Sequence, residues 1–270
     1  MSRTLGIGFV ALVASLMAGG PALGALSVYI SSNGDTADNT AIQSLLTSAG
    51  YSWTMGVTPG SLSGTTNFGT ADVILLNMGG AVTVIPTAGQ TNLVSFVNGG
   101  GGLVTSEWAA WNVSNNTILK GILPVLASST YTSTNPIVYT RVTADPVMNA
   151  GGLGTTITFT GTNHSGTADK LVKKTTGSPI EFYSANVPTG SSGVVGWEDV
   201  GGPTGGRVLS FNCLFGWETV ATTNANFRTL LVNGVNWASN PEPLPEPASA
   251  AFMVVGGVLA LLRTRRARAR

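Results

Sequence analysis

Two hydrophobic periods take turns along the chain. After Ala25, LSVYISS is a short apolar run rich in β-formers. DNTAIQSLLTSAGY follows, with Ile42, Leu45, Leu46 and Ala49 at i, i+3, i+4, i+7 spacing, so a strand and then an amphipathic helix are predicted. Gly50 stands where a helix C′ residue takes left-handed backbone. YSWTMGVTP reads as a second strand, and ADVILLNM is apolar enough to be a strand covered on both faces. Leu93, Phe96 and Val97 mark a helix in TAGQTNLVSFVNGGGG that stops at Gly99 and leads to the strand GLVTSEW. Strands alternating with helices predict the α/β class, a mainly parallel doubly wound sheet with right-handed crossovers.

Beyond Asn112 the pattern changes. NNTILKGILPVL has room for a short helix. From Tyr131 to Val200, runs such as NPIVYTRVT, TTITFTGT and GVVGWEDV, separated by Gly, Asn and Pro, predict an antiparallel β insertion. GGRVLSFNCLF returns to a buried strand. The last helix lies in TTNANFRTLLVNGVNWAS, with Phe227, Leu230, Leu231, Val235 and Ala238 on one face and a Thr/Asn cap before it. The domain so outlined spans 25–239.

The two ends read as addresses. Arg3 followed by the apolar stretch Leu5 to Met17 and the small residues of Ala22-Leu23-Gly24 predicts a signal peptide, 1–24, handled by the Sec machinery and signal peptidase. The alternative is an uncleaved anchor. At the other end, a Pro-rich linker (240–247) precedes 248–262, fifteen residues without a charge, and an Arg-rich tail (263–270). As a helix the uncharged stretch extends ~22 Å, short against a hydrocarbon core ~30 Å thick. Snorkelling arginines extend its reach and hold the tail in the cytoplasm.

Charge sharpens this picture. Five of the 13 Lys and Arg residues lie in the tail, and between Ala25 and Ser239 seven basic residues face ten acidic ones. A mildly acidic body offers no surface for tracking phosphates, which argues against nucleic acid as a partner. Only 9% of residues are charged and 36 are glycine, so Ser, Thr, Asn and Gly must cover the surface, as in many exported proteins. Cys213 is the only cysteine, so no internal disulfide forms, and its apolar neighbours predict a small buried side chain.

The ending, with Pro245-Glu246-Pro247, then ASAAFMVVGGVLALL, then RTRRARAR, resembles the PEP-CTERM sorting signal of Gram-negative bacteria. The resemblance implies recognition by an exosortase, a transient hold in the inner membrane, and a final place at the cell surface or outside the cell, in a biofilm and extracellular-polysaccharide setting. An ordinary C-terminal anchor behind a proline-rich linker is the alternative. The body, through VNGGGGLVTSEWA and GGRVLSFNCLFGWETVATTNANFRTLLVNGVNWA, resembles the class I glutamine amidotransferase-like, flavodoxin-like fold, in particular its ThuA-like branch. In the amidotransferases a cysteine occupies the turn after the strand matched here by GLVTSEW. In the ThuA-like branch a His follows that strand. This chain has Ser106 and Glu107 there, so the resemblance implies a fold and removes the usual mechanism.

Other chemistry is sparse. His164, the only histidine, lies in a polar loop sequence. A triad of Ser106, His164 and Asp169 or Glu181 can be written, but no G-x-S-x-G elbow supports it. One His and one Cys exclude the common zinc sites. Asn33, Asp35, Asp38 and Asn39 offer oxygen ligands for calcium, or more simply cap a helix, so no cofactor or metal is expected. Gly99 to Gly102 run from helix to strand, the reverse of a phosphate loop. Glu198 and Asp199 fit a hairpin tip. The sequons at Asn112, Asn115 and Asn163 carry little weight in a bacterium. Trp108, Trp111 and Trp217, with Glu107, Glu218 and Asn212, fall at the C-terminal edge of the predicted strands, where α/β sheets bind ligands. Aromatic faces beside amides and carboxylates suit sugar rings. The expectation is an exported surface or matrix protein whose domain binds polysaccharide or is structural. The rival is an extracellular hydrolase acting on glycans through Glu107.

Overall fold

Four consecutive buried residues, Val73–Leu76, form the middle one of five parallel strands, and their neighbours explain the placement. The computed structural model describes residues 25–31, 33–78, 84–160, 168–215 and 224–239. In chain order these hold β1 (Ser27–Ser31), α1 (Thr36–Ser48), β2 (Ser52–Met55), β3 (Val73–Leu76), α2 (Thr87–Asn98), β4 (Gly102–Thr105) and α3 (Glu107–Trp111). Then come β5 (Val125–Thr132), β6 (Ile137–Arg141), β7 (Thr156–Phe159), β8 (Ala168–Lys173), β9 (Ile180–Ala185), β10 (Ser191–Trp197), β11 (Val208–Phe211) and α4 (Ala225–Ala238).

Nine strands make one sheet in the order β2-β1-β3-β4-β11-β10-β9-β6-β7. The pairs from β2 through β11 are parallel, and those from β11 to β7 are antiparallel. The expected parallel α/β core is therefore present. The antiparallel insertion continues its hydrogen-bond ladder, and only β5 and β8 leave it, pairing as a separate two-stranded ribbon. Alternation along each central strand sends side chains to opposite faces. Val28, Ile30, Val73, Leu75, Val104 and Leu209 meet Ile42 and Leu46 of α1 and Leu230 and Val235 of α4. Tyr29, Ile74, Leu76, Leu103 and Val208 meet Leu93 and Val97 of α2, Ala109 and Ala110 of α3, and Leu171 of β8. Helices thus cover both faces of the parallel half, which explains its continuous apolar runs.

Local signals set the boundaries. Asp35 caps α1 by accepting from the Asp38 N–H at 3.0 Å, and Gly50 after it has φ +80°. Asn33 donates to Asp38 at 2.7 Å, so the Asn/Asp cluster is a helix cap. Asn224 caps α4 through the Phe227 N–H at 3.0 Å. Gln90 of α2 is buried and fastens the following segment. Its amide donates to the Ile85 carbonyl at 2.7 Å and the Asn115 carbonyl at 3.2 Å, and its oxygen accepts from the N–H groups of Ile118 and Leu119 at 3.0 and 3.2 Å. Glu198 and Asp199 follow β10 at a turn, and Glu198 pairs with Arg207 at 2.9 Å.

The strand predicted as GLVTSEW is shorter. It ends at Thr105, Ser106 is the N-cap, and Glu107–Trp111 turn into a helix. The signal peptide, linker, apolar segment and Arg-rich tail, the Pro245-Glu246-Pro247 motif, and His164 and Asn163 lie outside the described residues. Among the described residues no helix is long and apolar enough to cross a membrane.

Candidate functional site

The C-terminal ends of β3, β4 and β11 lie side by side, and polar side chains tie them together. Ser106 donates its hydroxyl to the Met78 carbonyl at 2.9 Å, joining the turn after β4 to the segment after β3. Ser106 is fully buried, and His164, its partner in the triad on paper, lies outside the described residues. Thr105 and Ser210 share a hydrogen bond of 2.9 Å between β4 and β11.

Glu107, the first residue of α3, is 2% exposed. Burial raises its carboxyl well above the usual carboxylate range, and the nearby charge of Asp169 raises it further, against a lowering bond from its own backbone N–H. Its Oε2 has no hydrogen-bond partner among the described residues. Asp169, the second residue of β8, is 6% exposed, and burial pushes its carboxyl from 3.8 to about 7. Asp169 Oδ2 also lacks a partner among the described residues. Burial thus favours the protonated form of both carboxyls, and the Asp169 charge opposes ionisation of Glu107.

Tyr139 of β6 and Cys213 beyond β11 complete this buried group. The Tyr139 hydroxyl donates to Asn212 Oδ1 at 2.7 Å and lies 3.2 Å from the Cys213 sulfur. Burial pushes both the phenol and the thiol up, and the Glu107 charge raises each further. Cys213 is the small buried side chain its sequence surroundings predict. Asn212 donates its amide to the Ser191 hydroxyl and the Val187 carbonyl, each at 3.3 Å, and so ties the wall together.

The aromatic residues form the outer part. Trp108 and Trp111 of α3 are half-buried with ring centroids 6.4 Å apart, and Tyr131 of β5 stands edge-on to Trp111 at 5.9 Å. Tyr131 is 56% exposed. In the β5–β8 ribbon Tyr131 and Asp169 are directly paired, so both side chains leave the ribbon on the same face. The structure thus gathers Glu107, Trp108 and Trp111 on one short helix and Asn212 on a neighbouring strand end. Trp217 and Glu218 lie outside the described residues.

Sequence reasoning passed over Tyr139 and Tyr131 and placed Asp169 only in the triad on paper. The alternation of Ile137 and Tyr139 in β6 marks Tyr139 as inward-facing. No local pattern announces that β5 and β8 pair across the intervening strands to bring Asp169 against α3. Among the described residues no group of three His, Cys, Asp or Glu side chains could hold a metal ion.

The fold has solved counterparts. A ThuA-like protein from Parabacteroides merdae superposes with a TM-score of 0.57 at 13% identity, covering 82% of this chain and 92% of the other. A glutamine amidotransferase from Thermotoga maritima gives 0.55 at 7% identity, with 80% and 99% covered. A GMP synthase protein from Thermoplasma acidophilum gives 0.54 at 11%, with 80% and 95% covered. No family model matches the sequence, and no curated protein matches it at the sequence level. The chain has the ThuA-like and glutamine amidotransferase-like fold, and at these identities the likeness extends to the fold alone.

Proposed function

We propose that this chain is an exported protein, sorted by an exosortase through its PEP-CTERM ending to the cell surface or extracellular matrix. There its amidotransferase-like domain binds polysaccharide and has no amidotransferase activity. The observation that carries the binding role is the pair Trp108 and Trp111 projecting from α3 beside the buried Glu107, at the strand edge where this class of sheet receives ligands. The loss of amidotransferase chemistry follows from the turn after β4. It carries Ser106 and Glu107 where the amidotransferase resemblance calls for a cysteine, and Cys213 lies past a different strand with its thiol pushed up by burial. The sorting role rests on the terminal sequences.

Titrating the protein with extracted exopolysaccharide while following tryptophan fluorescence tests the binding role. A saturable change is expected for wild type, with a weakened one for Trp111→Ala, and an unchanged wild-type signal rejects the role. Mass spectrometry of the mature C-terminus from fractionated cells tests sorting. Cleavage near Pro245-Glu246-Pro247 supports it, and an intact chain in the cytosol rejects it.

One observation favours a second reading, hydrolysis through Glu107: burial favours the protonated carboxyl and Oε2 has no partner among the described residues, the state a general acid needs. Glycan cleavage that Glu107→Gln abolishes while binding persists would establish it.

A further inference from the structure

We propose that Asp169 and Tyr131, neither of which belongs to the Trp108–Trp111 edge by sequence, complete the sugar site and restrict it to uncharged, hydroxyl-rich oligosaccharides; this rests on the polysaccharide-binding reading above. Tyr131 and Asp169 are paired across the β5–β8 ribbon and face α3 together, Tyr131 against Trp111 and Asp169 near enough for its charge to act on the Glu107 carboxyl. Tyr131 lies against Trp111, which lies against Trp108, so a row of rings runs from an exposed rim to the residue next to Glu107. At the inner end are two carboxyl groups, each more than nine-tenths buried and each with an oxygen unbonded among the described residues. A buried acceptor without a donor is costly, and a ligand hydroxyl that reaches either oxygen supplies the donor.

The charge around the pair sets the selectivity. Among the described residues the titratable groups that face it are Tyr139 from β6, Cys213 beyond β11 and Tyr131 from β5, with no Lys or Arg. Lys174 is engaged elsewhere, donating to the Lys120 carbonyl at 2.7 Å and lying over the Trp197 ring. A uronate, sulfate or phosphate ester would meet carboxyl groups with nothing to neutralise it, whereas a neutral sugar presents hydroxyl donors to oxygens that need them. The carboxyl of Asp169, raised to about 7 by burial, ionises in the neutral range and then accepts more strongly.

The test uses the full-length chain and an array of neutral hexasaccharides (gluco-, galacto- and manno-) beside acidic ones (galacturono- and mannurono-). Wild type should bind at least one neutral member and no acidic one. Asp169→Asn and Tyr131→Ala should each weaken binding by about tenfold or more. The affinity of wild type should rise as pH passes through about 7, and that of Asp169→Asn should stay flat. Tyr131 is on the rim, so its variant keeps the test decisive if Asp169→Asn does not fold. Neutral-sugar binding that Trp111→Ala weakens but Asp169→Asn and Tyr131→Ala leave unchanged overturns this proposal and spares the binding role, as does preference for the acidic set. Binding of neither set by wild type overturns both.

Discussion

Replacing Asp169 with Asn should make the protein more stable at neutral pH and confer no gain in mild acid. Asp169 loses its proton at 3.8 in the unfolded chain and at about 7 in the fold. Between these values the unfolded chain has released a proton that the native state still holds, so native stability falls as pH rises. The loss begins near the unfolded value and is complete above the folded one. A shift of that size corresponds to about 4 kcal/mol. The variant removes that slope but buries a new amide N–H₂, at ~1–3 kcal/mol if it finds no acceptor, so a net gain of about 1–3 kcal/mol is expected at pH 7.5. Glu107 Oε2 is an available acceptor nearby, which favours the upper part of that range. Urea unfolding of both proteins at intervals from pH 4.5 to 7.5, extrapolated linearly to water, measures the difference directly. Parallel stability curves, or a variant that loses stability as pH rises relative to wild type, would refute the idea that Asp169 is strained by burial.

Three further outcomes follow from packing. Gln90→Leu strands the N–H groups of Ile118 and Leu119 and the Ile85 carbonyl, so unfolding free energy should drop by about 2–4 kcal/mol in denaturant melts. At Gly102→Ala the new Cβ would collide with the Ala238 carbonyl oxygen, where β4 passes the end of α4, and a loss of about 1–3 kcal/mol is expected in the same melts. Cys213 is 2% exposed with its thiol pushed up by burial, so a thiol reagent at pH 8 should label it only after denaturant is added, and prompt labelling of native protein would contradict the buried cluster.

How far the sequence discloses the molecule depends on the range of the interaction. Helices α1, α2 and α4 are legible because their faces repeat locally and their ends carry Asp35, Gly99 and Asn224 as punctuation. The parallel strands are legible because covering on both faces leaves continuous apolar runs. The partition of the antiparallel strands is not. In β5 and β8 the alternation reads like that of β6 and β9, and what separates them is that Leu171 and Val125 pack under α2 and α3 while Tyr139 and Tyr183 pack on the other face. Such a choice depends on contacts between residues far apart in the chain. For the same reason Glu107 was visible from its place in the turn after β4, and its partner Asp169, more than sixty positions later, was not recognisable as one.

That partnership is open to a thermodynamic measurement independent of any ligand. If the two carboxyls feel each other across the gap between α3 and β8, removing one charge must change the cost of the other. Glu107→Gln mimics the protonated acid and should raise stability at high pH, where the wild-type carboxyl is forced to ionise in a buried site. Asp169→Asn removes the main neighbouring charge and so relieves part of the same strain. In the double variant the two gains cannot both be collected in full, and the combined effect should fall short of the sum by about 0.5–3 kcal/mol, the range for residues that share one network. The shortfall should vanish below about pH 3, where both groups are protonated in the folded and the unfolded chain alike. Additive effects at pH 8 would mean that Glu107 and Asp169 are two separate buried acids that happen to lie near one sheet edge, and the cluster would then lose its claim to act as a single site.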